Sequence, residues 1–83
     1  MEEYKMMKKI MIAIDRWMII EHIGADTWQI VESHRCRIQG EQGDMVKDTK
    51  VGWVVFRDAT CSIPKYRVPS NVLVEDYDLG EEE

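Results

Sequence analysis

Nowhere in the 83-residue sequence do more than five apolar residues follow one another, and the longest such run, residues 10–14, is closed by Asp15. A helix that spans a bilayer takes about 20, so no transmembrane helix is expected. The N-terminal residues set Glu2 and Glu3 ahead of the lysines and lack an apolar stretch leading to a small-residue cleavage site, so they do not read as a secretory signal. A cytoplasmic protein is the expectation. Cysteine is scarce: Cys36 and Cys61 are the only two, and without an export signal both are expected to stay thiols. Glycine and proline are also few, five and two against 45% apolar residues, which argues against disorder. No glycine-rich loop follows a strand and opens a helix, so the phosphate-cradling motifs of nucleotide enzymes are missing.

What is present fits one small domain. A chain of this length buries only about 60% of the surface its unfolded form exposes, enough for a single modest core without a deep walled cavity. Sixteen acidic residues against eleven basic ones give a net charge of -5. That acidity is unevenly placed. Residues 1–74 hold all 11 bases and 10 acids, net +1, whereas residues 75–83 hold six acids and no base, net -6. The expected organisation is a domain over 1–74 and an acidic tail over 75–83.

Along the chain, residues 2–18 admit two readings. At 100° per residue, Tyr4, Met6, Met7, Ile10, Met11, Ile14, Trp17 and Met18 share an arc of about 160° with the lysines outside it. With Glu2 and Glu3 at the positive N-terminal end, this predicts an amphipathic helix. A strand competes, because Ile10, Ile12 and Ile14 alternate and the helix would leave Ile12 on its polar side. Residues 17–38 read as a hairpin turning near Ala25 and Asp26, with two- and three-residue turns both allowed, so its inward face stays open. Residues 39–50, with two glycines and five charges, read as the longest loop. Residues 51–63 read as a second hairpin turning at Asp58 and Ala59. Its expected core face carries Val54, Phe56, Cys61 and Ile63, leaving Trp53, Val55 and Arg57 on the other. Pro64 and Pro69 bracket an edge strand over 65–68, and a closing strand follows over 72–76.

The stretch YRVPSNVLVED, residues 66–76, resembles the end of an SH3-like small barrel, where a strand enters a single 3₁₀ turn bearing Pro-Ser-Asn and continues into the closing strand. Pro69, Ser70 and Asn71 would form that turn. The resemblance covers about 11 of the 83 residues and implies architecture alone, because the acidic, aromatic-rich opening strand of signalling SH3 domains is missing. The expected fold is therefore mainly β: a single small antiparallel SH3-like barrel with an N-terminal amphipathic helix.

Candidate chemistry is thin. His22, His34, Cys36 and Cys61 have the donor types for zinc, and His34 and Cys36 would share a strand face, but the ligands do not come in the close pairs of known zinc modules. No metal or cofactor is expected. Cysteine-histidine catalysis, or acid-base work by Glu21 and Glu32, needs a cleft that a barrel this small seldom supplies, so no enzyme activity is expected. Arg35 and Arg37 on one strand face, with Lys65, Arg67, Trp53 and Tyr66, offer cations and stacking rings for RNA or single-stranded DNA. The acidic total and the absence of a polybasic run oppose that reading.

Trp17, Trp28 and Trp53 are many tryptophans for a small core. Tryptophan, tyrosine and arginine are the types enriched at interface hot spots. Trp53 either anchors a contact or is buried under the N-terminal helix. The expected function is a small non-enzymatic protein-binding module, with Trp53, Tyr66, Arg67 and Arg57 as anchors and Glu75, Asp76 and Asp78 as electrostatic contacts. A specific form of it is a phage or mobile-element inhibitor, of anti-defence or anti-CRISPR type, docking on a nucleic-acid-processing complex. A barrel that binds RNA or single-stranded DNA through Trp53, Tyr66, Arg35 and Arg67 is the alternative. No membrane partner is expected, and a homodimer is one form that protein binding could take.

Overall fold

In the computed structural model, which describes residues 6–77, the chain forms seven strands: β1 (Met7–Ala13), β2 (Arg16–Gly24), β3 (Thr27–His34), β4 (Met45–Thr49), β5 (Gly52–Phe56), β6 (Pro64–Arg67) and β7 (Leu73–Asp76). They pair antiparallel in the order β6-β5-β4-β3-β2-β1-β7. The chain is mainly β, and its single sheet curls into a half-barrel.

No helix occurs among the described residues, which corrects the helix expected over residues 2–18. Residues 7–13 are a strand paired on both sides, with β2 through Met7↔Glu21 to Ala13↔Arg16 and with β7 through Lys8↔Asp76 to Met11↔Leu73. Two ladders outweigh the helix propensity of methionine and lysine, which amounts to a few tenths of a kcal/mol per residue. Ile10 is fully buried and Ile12 packs against the core, as the alternation of isoleucines would have it.

The core is built from alternate residues of each strand. Ile10, Met18, Ile20, Trp28, Ile30, Val46 and Val55 join Cys36 and Val68 in one cluster, with Trp53, Tyr66, Val72 and Val74 packed at its margin. Ile19 and Val54 are also buried but lie outside that cluster, so the outer face is partly apolar as well. The hairpin of β2 and β3 turns through two residues, Ala25 and Asp26, between Gly24 and Thr27, with irregular register at Ile19/Ile20 and His22/Gly24.

Two further expectations are corrected. Within 39–50, residues 45–49 are β4, which pairs with β3 and, through a turn at Lys50 and Val51, with β5. Gly52 closes that turn at φ 112°, a conformation suited to glycine. The hairpin expected over 51–63 is instead the pairing of β5 with β4 and β6 (Val54↔Arg67, Val55↔Tyr66, Phe56↔Pro64). The faces are exchanged accordingly. Val55 is fully buried in the core with Trp53 beside it, whereas Val54 lies on the other face and Ile63 is exposed.

Residues 35–44 fold back under the core. Cys36 is buried and donates its thiol proton to Trp17 O at 3.1 Å, while the Gln39 and Gly40 amides both donate to Cys36 O. Gly40 lies so close to the core that a Cβ there would stand 2.6 Å from Ile30 Cδ1 and 2.7 Å from Met18 Sδ. Both neighbours are essentially inaccessible to solvent. Gly40→Ala is expected to lower stability by about 1–3 kcal/mol, as overpacking does, measured as the shift in the urea unfolding midpoint.

Candidate interaction surfaces

The pairing registers place side chains at two opposite ends of the sheet. One end carries the turns at 25–26 and 50–51. The other carries the β1–β2 turn and the segments 35–44 and 57–63.

At the first end, rings line the inner mouth of the half-barrel. Trp28 meets His22 edge-on at 4.9 Å and Trp53 edge-on at 5.5 Å. The Lys8 ammonium sits 5.9 Å from the Trp28 ring centre and 2.7 Å from Asp76 Oδ1, and His22 Nε2 lies 2.8 Å from Ala25 O. These contacts satisfy one another. Trp53 and Tyr66 are half-buried at the core margin, so neither stands out as a free anchor. On the outer face Trp17 stacks on His34 at 3.9 Å, and Lys9 Nζ lies 4.6 Å from the Trp17 ring centre.

The second end carries the two most exposed large apolar side chains and three arginines. Ile14, in the β1–β2 turn, is 91% exposed, and Ile38, in segment 35–44, is 84% exposed. Beside segment 35–44 opens a cleft of about 690 Å³, lined by Ile38 and by Arg16, Arg35 and Arg37 against Glu32 and Glu41. Ser33, in its wall, donates to Gly40 O at 2.6 Å and so ties β3 to the loop. Arg35 reaches Asp15 at 3.6 Å, bridging the two segments, and Glu41 is 3.8 Å from Lys65, whose closer partner is Asp44 at 2.8 Å. Arg16 and Arg37 form no ion pair among the described residues.

β3 ends at His34, so Arg35 and Arg37 do not share a strand face as expected; they leave the sheet in a turn where Arg35 takes φ 54°. A side chain in this left-handed region costs about 1 kcal/mol relative to glycine.

Segment 57–63 borders the same end and is organised by Asp58. Its carboxylate accepts hydrogen bonds from the Thr60 hydroxyl, from the Ser62 amide at 3.1 Å and hydroxyl at 3.2 Å, and from the Ile63 amide at 2.8 Å. The Thr60 bond, followed by that of the Ile63 amide, holds the Asp58 carboxyl well below the usual carboxylate range. This web stands where a two-residue hairpin turn was expected.

The expected partner-binding residues are thus dispersed. Arg67 and Glu75 are exposed on β6 and β7, Arg57 is exposed beside the Asp58 loop, Asp76 is held by Lys8, and Asp78 lies outside the described residues. Arg35 is at the opposite end from Trp53, so the set Trp53, Tyr66, Arg35 and Arg67 does not form one nucleic-acid surface. Sequence reasoning missed Ile14, Arg16 and Ile38; Ile14 was the available signal, an isoleucine followed directly by the charged pair Asp15 and Arg16.

His22, His34, Cys36 and Cys61 lie apart, and no three potential metal-binding side chains converge among the described residues. Nor is there, among them, a helix long and apolar enough to cross a membrane. Comparison of the chain with protein-family models, with curated proteins and with solved structures gives no match.

Two outcomes are expected here. Arg35→Gly should raise stability by about 0.5–1 kcal/mol, because it relieves the left-handed strain and gives up only an exposed ion pair of little worth; chemical denaturation measures it. Because the folded Asp58 carboxyl is depressed, its contribution is complete above the ordinary carboxylate range and is lost as pH falls from about 4 toward the folded value. Asp58→Asn should therefore flatten the acid limb of the stability profile, read from urea midpoints across that range.

Proposed function

We propose that the chain is a small non-enzymatic protein-binding module on an SH3-like barrel scaffold, and that it meets its partner through the end bearing Ile14, Ile38 and the three arginines. The observation that carries this is an arginine-lined cleft with the exposed Ile38 in its wall, at the same end of the sheet as the exposed Ile14. Loops held on a rigid sheet are where binding residues concentrate, and an apolar contact ringed by arginine is the make-up of an interface centre.

RNA or single-stranded DNA fits this end less well. No ring lines the cleft to stack a base, and Glu32 and Glu41 would repel a phosphate backbone. In its most specific form the reading is an inhibitor of phage or mobile-element type, anti-defence or anti-CRISPR, docked on a nucleic-acid-processing complex. Its support is the small size, together with acidity concentrated in residues 75–83.

The test is capture from a host lysate by the immobilised wild-type chain and by the double variant Ile14→Ser, Ile38→Ser. A partner retained by the wild type and reduced at least about tenfold in the variant is expected, the loss of one or two hot-spot side chains being enough. Equal recovery by both would move the docking surface elsewhere. Tight oligonucleotide binding by the wild type that falls steeply with salt would favour the nucleic-acid reading instead.

A further inference from the structure

We infer that the arginine cleft is a receptor for an acidic peptide segment, and that the segment it takes is residues 78–83 of a second copy of this chain. The inference rests on the protein-binding reading of this end and names a ligand for it.

The chemistry of the two pieces matches. Arg16 and Arg37 line the cleft without an ion-pair partner among the described residues, Arg35 shares only an exposed contact with Asp15, and Glu41 is drawn toward Lys65. Glu32 is the remaining carboxylate in the wall, so the cleft is left with a surplus of cationic donors. Guanidinium groups present forked donors suited to carboxylates. Residues 78–83 supply four carboxylates, Asp78, Glu81, Glu82 and Glu83, around one apolar side chain, Leu79. Ile38, 84% exposed in the cleft wall, offers that leucine an apolar seat. A phosphate backbone would bring charge but nothing for Ile38.

Reach decides between the chain's own cleft and a partner's. The Tyr77 amide donates to Met7 O at 3.0 Å, which fixes the start of the segment at the far end of β1 from Arg16, the partner of Ala13. The run from Met7 to Ala13 is about 20 Å at 3.3 Å per residue, and six residues extend to about 20–22 Å at most. Residues 78–83 would be used up in travelling the strand, with none left to lie in the cleft. Two copies placed antiparallel about a two-fold axis put each copy's acidic residues beside the other's arginines, and the assembly closes at two.

Sedimentation velocity on the full chain tests this, with a charge exchange. The wild type is expected to dimerise at low ionic strength and to return to monomer as salt screens the contact. Arg16→Glu with Arg37→Glu, and separately Glu81→Lys with Glu82→Lys and Glu83→Lys, should each give a monomer. An equimolar mixture of the two variants should restore the dimer, since each reversed segment then meets a cleft of opposite sign. Arg16 and Arg37 are exposed, and an unchanged near-ultraviolet tryptophan spectrum confirms folding of each variant. A wild type that stays monomeric at low salt, a lysine variant that dimerises like the wild type, or a mixture that fails to associate would each overturn the inference. If any of these occurs while Ile14 and Ile38 still govern capture of another protein, only the identity of the ligand falls; if that capture fails too, the protein-binding reading falls with it.

Discussion

Five residues, 68–72, join the two outermost strands of a seven-stranded sheet, and that short link governs the shape of the molecule. Laid flat, seven strands would separate β6 from β7 by about 29 Å, at 4.8 Å per pairing. The path from Arg67 to Leu73 spans six residue steps, about 20–22 Å at full extension, and it is shortened by the turn in which the Val72 amide donates to Pro69 O at 3.1 Å. The sheet must curl. Because β6 and β7 run in the same sense, the link also crosses the open side from one end to the other. Val68 is buried in that crossing, its amide donating to Trp53 O at 2.9 Å, and Val72 packs against the core behind it.

Curling makes the ends of the sheet unequal. At one end the connections are two-residue turns, which leave little chain to present, and the side chains there are occupied with each other: Lys8 with Asp76 and Trp28, Trp28 with His22 and Trp53. The other end must be closed by something longer, and residues 35–44 do this, with Cys36 and Gly40 pressed into the core. Anchoring those two residues forces the ones between and beside them outward. Arg35, Arg37 and Ile38 are exposed because the closure of the core demands it, so the cleft follows from how the half-barrel is stoppered. The outer edge of β6 is meanwhile blunted by Pro64, Lys65 and Arg67, which discourages pairing there with another strand.

How much of this was legible in the sequence varies by element. β2 and β3 were readable because a β-branched and aromatic run either side of Gly24, Ala25 and Asp26 has few other solutions, and the stretch YRVPSNVLVED pointed to a link and a closing strand. β1 was misread because both of its faces are partly apolar. Ile10 and Ile12 pack inward while Met7 and Met11 are half-buried outside, and two apolar faces at period two can imitate one at period 3.6. β4 was hidden by composition: only Met45 and Val46 are apolar, yet Val46 is fully buried. For β5 the error lay in Asp58, whose carboxylate organises the next five residues rather than turning the chain in two. The cleft had no local signature, since Arg16 is separated from Arg35 and Arg37 by the whole of the β2–β3 hairpin and only pairing unites them.

The same pairing gives meaning to the charge. A net of -5 describes neither end of the molecule. Once Glu75 and Asp76 are placed in β7, four acids remain in 78–83 and continue from the end where Tyr77 is tied to Met7, while three of the five arginines collect about a strand's length away. Among the described residues the arginines of the cleft are offset by Asp15, Glu32 and Glu41, so the cleft offers local donors rather than a charged pole. The field of such a cluster acts on a charged partner only at short range, being screened within about 10 Å at 0.1 M salt. On a near-neutral body, recognition depends on where the arginines sit more than on total charge, and the exposed Ile38 in the cleft wall supplies the short-range apolar contact that a screened field cannot.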